Sequence, residues 1–225
     1  MEKRYLRNIS TLSEEENNKL KHFKVCIIGC GGIGGYVIEM LSRIGIGYLT
    51  VVDKDIFDES NLNRQILSSE ENIGSLKVES AIKRVNSINS NIEIKMINDV
   101  FCEENGEAIL KDHHIVVDCL DNIDNRILLQ KICKKLKIPF VHGAIGGWYG
   151  QVSSVFPGDD TLNKIYKQNN IGIEKKLGNP SFTPATIASI EVSETIKILL
   201  NKGDILRNKL LIIDLLYNDY NIIDL

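Results

Sequence analysis

A glycine-rich segment directly after a short apolar run constrains the fold of this chain more than any other feature. Gly29-Cys30-Gly31-Gly32-Ile33-Gly34 follows the apolar residues 25–28 and precedes a helical pattern. A strand, a tight turn and a helix N-terminus in this order bring backbone N–H groups and the positive end of a helix dipole together. The segment predicts a phosphate-binding loop in an α/β nucleotide-binding fold, and many dinucleotide oxidoreductases share it.

Apolar runs alternate with helical patterns along the first two thirds of the 225 residues. The predicted strands are 25–28, 49–52, 92–97, 115–119 and 140–144, and the predicted helices are 33–44, 76–88, 103–110 and 123–136. This alternation predicts a Rossmann-like, mostly parallel sheet with helices on both faces. Because Gly29, Asp53 and Asp121 each follow a strand, we expect them to converge on one crevice at the carboxyl ends.

The last third of the chain has a different pattern. Residues 148–156 form a predicted strand without a preceding helix, so we expect it to pair antiparallel. Residues 157–184 contain three of the four prolines and form a predicted crossing loop, after which Pro184 begins a helix to about Leu200. Two short C-terminal strands, 210–214 and 220–223, then close the chain. We expect a single domain over 1–225, with residues 1–23 as an N-terminal arm and helix.

Composition limits the partners and the location of the protein. A net charge of −3 with scattered Lys and Arg does not indicate a nucleic-acid partner. No run of about 18 apolar residues predicts a membrane span, and the first residues lack the apolar stretch of a signal peptide, so we expect no membrane partner and a cytoplasmic protein. The cysteines form no Cys-x-x-Cys pair, so we expect free thiols and no zinc site; they are Cys26, Cys30, Cys102, Cys119 and Cys133.

Charged residues after the glycine loop indicate more phosphate groups than a dinucleotide requires. Asp53 stands at the distance from the loop where an acid binds ribose hydroxyls. Arg64, in the polar turn 60–65, and Lys77, at the start of the next helix, suit a triphosphate, because its charge exceeds what backbone dipoles can balance. Asp121, followed by Asn122 at a strand end, can bind Mg²⁺ together with phosphate oxygens. These residues favour ATP over a nicotinamide cofactor.

Together the ordered motifs resemble the ThiF/MoeB/HesA family, the bacterial relatives of ubiquitin-activating enzymes. The resemblance runs from about Arg4 to the C-terminus. The matching segments are 4–7, the glycine loop, 52–55, 60–65, 74–77, 118–122 and 191–197. Members of that family use Mg-ATP to adenylate the C-terminal glycine of a ubiquitin-like sulfur carrier protein that ends in Gly-Gly. The resemblance implies a single adenylation domain and a homodimer in which Arg7 reaches the nucleotide of the partner.

The resemblance also implies roles for individual residues. Gly32 contacts the phosphates, Asp53 the ribose, and Asn61 the polyphosphate together with Arg64 and Lys77. Asp121 holds magnesium or positions the attacked phosphorus. The catalytic set implied is Arg64, Lys77, Asp121 and Arg7, and the nucleotide-binding set is Gly29, Gly31, Gly32, Gly34, Asp53, Asp55, Asn61, Arg64, Lys77, Asp121 and Asn122.

The chain departs from many relatives in its cysteines. It lacks the paired Cys-x-x-Cys zinc ligands, and no cysteine follows Cys133 to form a covalent link with the carrier. We therefore expect the chemistry on this chain to stop at the acyl-adenylate, with sulfur supplied by a separate persulfide donor. Cys30 lies inside the glycine loop. It either only occupies a variable position of the loop or has a redox role.

Three further hypotheses remain open at this level. An NAD-dependent oxidoreductase is supported by the glycine loop and Asp53 and has His142 as its sole candidate acid, which more simply caps a strand. The second hypothesis is a relative that activates a different carboxylate or a tRNA, and the third is a non-catalytic nucleotide-binding scaffold. The sequence names neither the carrier nor the pathway, whether thiamine, molybdopterin or a related sulfur-transfer pathway.

Overall fold

The computed structural model describes residues 2–166 and 177–225, and the strands of this part form one sheet of eight. The strands are β1 Lys24–Ile28, β2 Tyr48–Val52, β3 Glu93–Ile97, β4 Ile115–Asp118, β5 Phe140–Gly146, β6 Tyr149–Val155, β7 Lys209–Asp214 and β8 Asp219–Asp224. The α-helices are α1 Glu14–Leu20, α2 Gly32–Ile44, α3 Lys77–Ile88, α4 Gly106–Leu110, α5 Ile123–Leu136, α6 Thr161–Ile165 and α7 Phe182–Leu200. Short 3-10 turns cover Lys3–Asn8, Glu59–Asn61 and Glu70–Asn72.

The strand order is β3-β2-β1-β4-β5-β6-β7-β8. Strands β3, β2, β1, β4 and β5 run parallel, whereas β6, β7 and β8 pair antiparallel. The predicted Rossmann-like sheet with antiparallel C-terminal strands is therefore confirmed. The order reverses between β1 and β4, and a crevice opens at such a switch point beyond the carboxyl ends of the strands.

Alternate residues of each parallel strand face two different apolar clusters. Val25 and Ile27 pack with α2, α3 and α7, whereas Cys26 and Ile28 pack with α4, α5 and α6. All four of these side chains are buried. Because side chains alternate across a strand, a continuous apolar run is needed when helices cover both faces. This explains why the strands were recognisable as unbroken apolar runs.

The N-terminal arm is anchored to the edge of the sheet where β2 begins. Tyr5 is buried, and its hydroxyl accepts a hydrogen bond of 2.7 Å from Asn89 Nδ2. A Cβ on Gly45 would lie 2.6 Å from that hydroxyl, and Gly45 has a φ of +93°, so only glycine fits there. Ser13 caps α1 through a capping box with Glu16.

The predicted crossing loop at 157–184 contains more regular structure than expected. Thr161–Ile165 is a short helix, because Leu162 is buried against α5 and its N–H donates to Gln130 Oε1 at 2.8 Å. Helix α7 begins at Phe182, two residues before the predicted start, since Pro184 is tolerated in the first turn, where its missing N–H has no intrahelical partner. Residues 167–176 of the predicted loop lie outside the described part. No helix among the described residues is long and apolar enough to span a membrane.

Two buried glutamates of α7 have opposite environments. Glu194 is satisfied, because its carboxylate accepts from Ser154 Oγ at 2.6 Å and from the Leu206 N–H at 2.7 Å. Glu191 is fully buried, and neither carboxylate oxygen has a hydrogen-bond partner within residues 2–166 and 177–225. It faces Gly143 of β5, where a Cβ would lie 2.4 Å from Glu191 Cδ. Burial, reinforced by the negative charge of Asp118, raises the pKa of Glu191 well above its usual range.

We expect Glu191→Gln to increase stability at neutral pH. Because the pKa of Glu191 is higher in the folded than in the unfolded state, the free energy of unfolding is greatest below the ordinary glutamate pKa. It falls as the pH rises from that value towards the folded-state pKa. The amide removes that cost, so the free energy of unfolding should rise by about 1–3 kcal/mol near pH 7.5 and change less near pH 4.5. Urea unfolding at both pH values measures this.

Glu194→Gln is the matched control for this prediction. It replaces a carboxylate that already accepts two hydrogen bonds and so weakens those bonds. We therefore expect it to lower the free energy of unfolding at pH 7.5. A Glu191→Gln variant that is destabilised equally at both pH values would show that Glu191 is ionised and compensated in the folded protein.

Candidate active site

A crevice of about 610 Å³ lies at the carboxyl ends of β1, β2 and β4. It forms where the parallel strands end, so residues distant in sequence become neighbours. The residues of the predicted site that line it are Gly29, Gly31, Gly32, Asp53, Asp55, Arg64, Lys77, Asp121 and Asn122.

The glycine loop is shaped by close packing against two neighbouring elements. Gly29 has a φ of +104°, and a Cβ there would lie 2.5 Å from the carbonyl oxygen of Cys119. A Cβ on Gly34 would lie 1.9 Å from the carbonyl oxygen of Gly29. Helix α2 then begins at Gly32, and no side chain of the described part caps its N-terminus. Its first N–H groups and the positive end of its dipole therefore face the crevice.

Asp53 links the glycine loop to the turn after β2. Its Oδ2 accepts from the Cys30 N–H at 2.7 Å, and its Oδ1 accepts from the Asp55 N–H at 2.8 Å. A carboxylate offers about four lone-pair sites, so both oxygens can still accept ribose hydroxyls. Asp53 therefore fixes the local backbone and also presents a charge to the crevice.

Lys77 is almost buried at the first residue of α3. Its side chain is 8% exposed, and its Nζ pairs with Asp55 Oδ2 at 3.2 Å. The Lys77 N–H also donates to the Asp55 carbonyl oxygen at 3.0 Å. This double contact holds a point charge at the wall of the crevice.

Arg64 forms no ion pair with a carboxylate among the described residues. Its Nη1 donates to the Ser60 carbonyl oxygen at 2.8 Å and to Asn63 Oδ1 at 2.9 Å. These neutral acceptors orient the guanidinium and leave its charge available for an anion.

Asp121 and Asn122 lie where β4 leads into α5. Asn122 caps the helix, because its Oδ1 accepts from the Asn125 N–H at 2.8 Å. Asp121 is exposed and lines the crevice, whereas Asp118 is fully buried. The carboxylate available to a ligand here is therefore that of Asp121.

Three residues of the predicted site do not line this crevice. Gly34 serves the packing of α2 on the loop, and Asn61 uses its Oδ1 to accept from the Asp58 N–H at 3.1 Å. Arg7 is exposed in the turn Lys3–Asn8, beside the anchored Tyr5. An arginine that serves a partner's site, as predicted, need not reach the crevice of its own chain.

Two amide side chains in the crevice were not predicted as site residues. Gln65 is 6% exposed, and neither its Oε1 nor the buried Asn179 Oδ1 has a hydrogen-bond partner in the part of the chain that the structure describes. Buried amide oxygens are normally bonded, so a ligand donor at these positions would be favourable. Gln65 adjoins Arg64 in the polar turn 60–65, which is the signal that could have identified it. Asn179 lies in the crossing loop, where no periodic pattern marks it.

The cysteines near the crevice are not activated. Burial raises the pKa of Cys30 well above its usual range, and the neighbouring Asp53 carboxylate adds to this effect. Burial also raises the pKa of Cys119 well above its usual range, and the nearby Glu191 carboxyl raises it further. Their thiols therefore remain protonated and weakly nucleophilic near neutral pH. Among the described residues, no group of three or more His, Cys, Asp and Glu side chains is arranged to hold a metal ion.

Comparison with known proteins places the chain in a protein family. The model of the ThiF family matches residues 5–225, nearly the whole chain. The chain belongs to the ThiF family.

Two of the relatives that match this chain are of similar length. The molybdopterin-synthase adenylyltransferase of Haemophilus influenzae is 36% identical over 222 residues, which cover 95% of this chain and 90% of the relative. The SAMP-activating enzyme E1 of Haloferax volcanii is 30% identical over 217 residues, which cover 94% of this chain and 80% of the relative. The predicted family and the adenylyltransferase class are therefore confirmed.

Solved structures agree with the fold. The crystal structure of E. coli MccB with ATP has a TM-score of 0.84 to this chain at 23% identity, covering 100% of this chain and 72% of that one. At this identity the likeness concerns the fold alone, which is the α/β arrangement predicted from the sequence.

Proposed function

We propose that this member of the ThiF family uses ATP to adenylate the C-terminal glycine carboxylate of a ubiquitin-like sulfur carrier protein ending in Gly-Gly. The products are the carrier acyl-adenylate and pyrophosphate. The observation that carries the proposal is the convergence of the glycine loop with Arg64, Lys77 and Asp121 in one crevice. A phosphate loop alone serves many nucleotides, whereas two cations and a free carboxylate beside it suit a magnesium-bound triphosphate.

ATP would lie along the crevice with its phosphates at the N-terminus of α2. Asp53 would bind the ribose, and Arg64 and Lys77 would hold the polyphosphate, whereas Asn61 stays in the turn beside the crevice. Asp55 orients Lys77 through their ion pair. Asp121 suits Mg²⁺, because it is an exposed carboxylate beside the polar Asn122, and Mg²⁺ prefers few carboxylates plus phosphate oxygens. Bound magnesium would supply charge neutralisation at the phosphates.

The reaction requires little proton transfer. The ionised glycine carboxylate attacks the α-phosphorus, and the bond to the bridging oxygen of the β-phosphate breaks, so pyrophosphate leaves with that electron pair. Both reactants are anions, so the task of Arg64 and Lys77 is to offset repulsion and to stabilise charge in the transition state. No general base is needed, because a carboxylate is already deprotonated at neutral pH.

The proposal also includes a homodimer, a separate sulfur donor and a role in a sulfur-transfer pathway. Residues 1–225 act as one adenylation domain, and two copies form a homodimer in which Arg7 of each chain serves the other. The protonated thiols of Cys30 and Cys119 favour a separate persulfide donor over a covalent carrier link on this chain. A cytoplasmic location and a role in a molybdopterin, thiamine or related sulfur pathway remain predictions. The similarity to a molybdopterin-synthase adenylyltransferase supports the molybdopterin pathway.

Hydride transfer is less well supported than adenylation. His142, its sole candidate acid, is fully buried within β5, does not line the crevice and does not cap a strand. Arg64, Lys77 and Asp121 would also have no task with a nicotinamide cofactor. The geometry therefore favours adenylation.

Exchange of labelled pyrophosphate into ATP tests the proposed function. We expect exchange that depends on magnesium and on a carrier with a free C-terminal Gly-Gly, because the reverse reaction needs the acyl-adenylate. The matched control is the same carrier without its last two glycines. Exchange with a tRNA or a small carboxylate alone would assign a different substrate, and tight NAD binding without any exchange would overturn the proposal.

A further inference from the structure

Four side chains, three of them buried, are linked by hydrogen bonds beside the segment that carries Asp121, and an ion pair of 3.9 Å between Arg126 Nε and Asp118 Oδ2 closes the ring. We call Asp118, Arg126, His142 and Tyr166 the buried ring. Asp118 and His142 are 0% exposed and Arg126 is 4% exposed. The four residues come from the end of β4, from α5, from β5 and from the residue after α6. The ring therefore joins four separate elements at one side of the crevice.

The hydrogen bonds of the ring have a consistent direction. Arg126 Nη1 donates to Tyr166 Oη at 2.9 Å, and the Tyr166 hydroxyl lies 3.1 Å from His142 Nε2. His142 Nδ1 lies 2.7 Å from Asp118 Oδ2. Burial lowers the pKa of His142, so the imidazole is neutral, donates from Nδ1 to the Asp118 carboxylate and accepts at Nε2. Asp118 then supplies the negative charge of the ring and Arg126 its positive charge.

Both ends of this chain of bonds hold the backbone of Leu120. Asp118 Oδ1 accepts from the Leu120 N–H at 3.1 Å, and Arg126 Nη2 donates to the Leu120 carbonyl oxygen at 2.6 Å. The next residue is Asp121. The peptide units that set the direction of Asp121 are therefore fixed on both sides by the ring.

We propose that His142 is a positioning residue, which orients Asp118 and thereby fixes Leu120 and the carboxylate of Asp121. The inference rests on the proposed function, in which Asp121 binds the metal–nucleotide complex. Burial of Asp118, Arg126 and His142 is costly compared with apolar side chains of similar size, so fold stability alone does not explain their presence. Placement of the following carboxylate does explain it, because the ring bonds to both polar groups of the Leu120 backbone, directly before Asp121.

Two substitutions of His142 separate the two ends of the imidazole. In His142→Asn the side-chain amide can occupy the place of Nδ1 and donate to Asp118. In His142→Gln it reaches the place of Nε2 and loses that bond. Ser153→Ala is the control for a lost buried polar group, because Ser153 pairs with His142 across β5 and β6 but bonds to the Lys209 carbonyl oxygen at 2.7 Å.

Two readouts test the inference, with folding of each variant checked by thermal unfolding. The first is the rate constant of pyrophosphate exchange per active site, and the second is the affinity of Mn²⁺ for the ATP-bound protein by electron paramagnetic resonance. We expect His142→Gln to lower both by about 10- to 100-fold, as for residues that orient metal ligands. His142→Asn should restore most of each value, and Ser153→Ala should leave both unchanged.

The outcomes separate this inference from the proposed function. Equal losses in His142→Gln and His142→Asn, or a loss only in the fraction of active protein, would show a structural role and overturn the inference. A wild-type protein without exchange would overturn the proposed function instead, and the Mn²⁺ affinities of the variants would still decide whether His142 positions Asp121.

Discussion

Asp121→Ala is expected to lower pyrophosphate exchange by about 10³-fold, while the protein remains folded and still binds ATP weakly without magnesium. The carboxylate is exposed in the crevice, so its removal leaves no buried partner unsatisfied among the described residues. It would hold magnesium where negative charge develops between the α-phosphorus and the departing pyrophosphate. The loss should therefore fall on the rate constant more than on the affinity for the carrier. Steady-state exchange at saturating carrier, with ATP varied, measures the rate constant, and a carrier titration measures the affinity.

Asp124→Ala is the matched control for this variant. Asp124 is exposed in the first turn of α5, three residues after Asp121, and does not line the crevice. It carries the same charge near the same helix N-terminus, so any general electrostatic effect should be equal in the two variants. An exchange rate that falls equally in both would remove Asp121 from the metal site.

Mixing two inactive variants, Arg7→Ala and Asp121→Ala, is expected to restore exchange. If Arg7 serves the partner's crevice, a mixed dimer has one site with both residues intact and one site with neither. Random exchange of subunits makes half of the dimers mixed, so activity should reach about a quarter of the wild-type value. Neither variant alone should regain activity on incubation. The measurement is exchange activity against time after mixing, alongside native mass spectrometry of the dimers.

Lys3→Ala provides the control for the N-terminal arm. Lys3 is exposed at the start of the same turn, so the variant should remain active alone. Mixed dimers that form without any recovery of exchange would show that Arg7 does not act in the partner's site.

The strands and the crevice could be predicted because one physical pattern determines both. Strands covered on both faces must be apolar throughout, as Val25 and Ile28 show, so their positions are visible in the sequence. Parallel strands also end at a common edge, which predicts that Gly29, Asp53 and Asp121 lie close together. No knowledge of side-chain geometry is needed for either step.

The contacts that tune the site could not be predicted from the sequence. Asp55 pairs with Lys77 across 22 positions, and His142 pairs with Asp118 across 24. Such pairs depend on rotamers and on the depth at which each chain segment packs, which periodicity does not encode. His142 is the clearest example, since its sequence position suggested a strand cap, whereas its hydrogen bond depends on a partner on the neighbouring strand.

The interlocked glycines of the phosphate loop have a thermodynamic consequence. Gly29 lies against Cys119 and Gly34 against Gly29, so close packing between β1, α2 and the end of β4 helps to fix the loop, together with the hydrogen bond from the Cys30 N–H to Asp53. The loop therefore loses its conformational entropy on folding rather than on binding, and a nucleotide meets a preorganised cradle. We therefore expect nucleotide binding to require little rearrangement of the backbone of this loop.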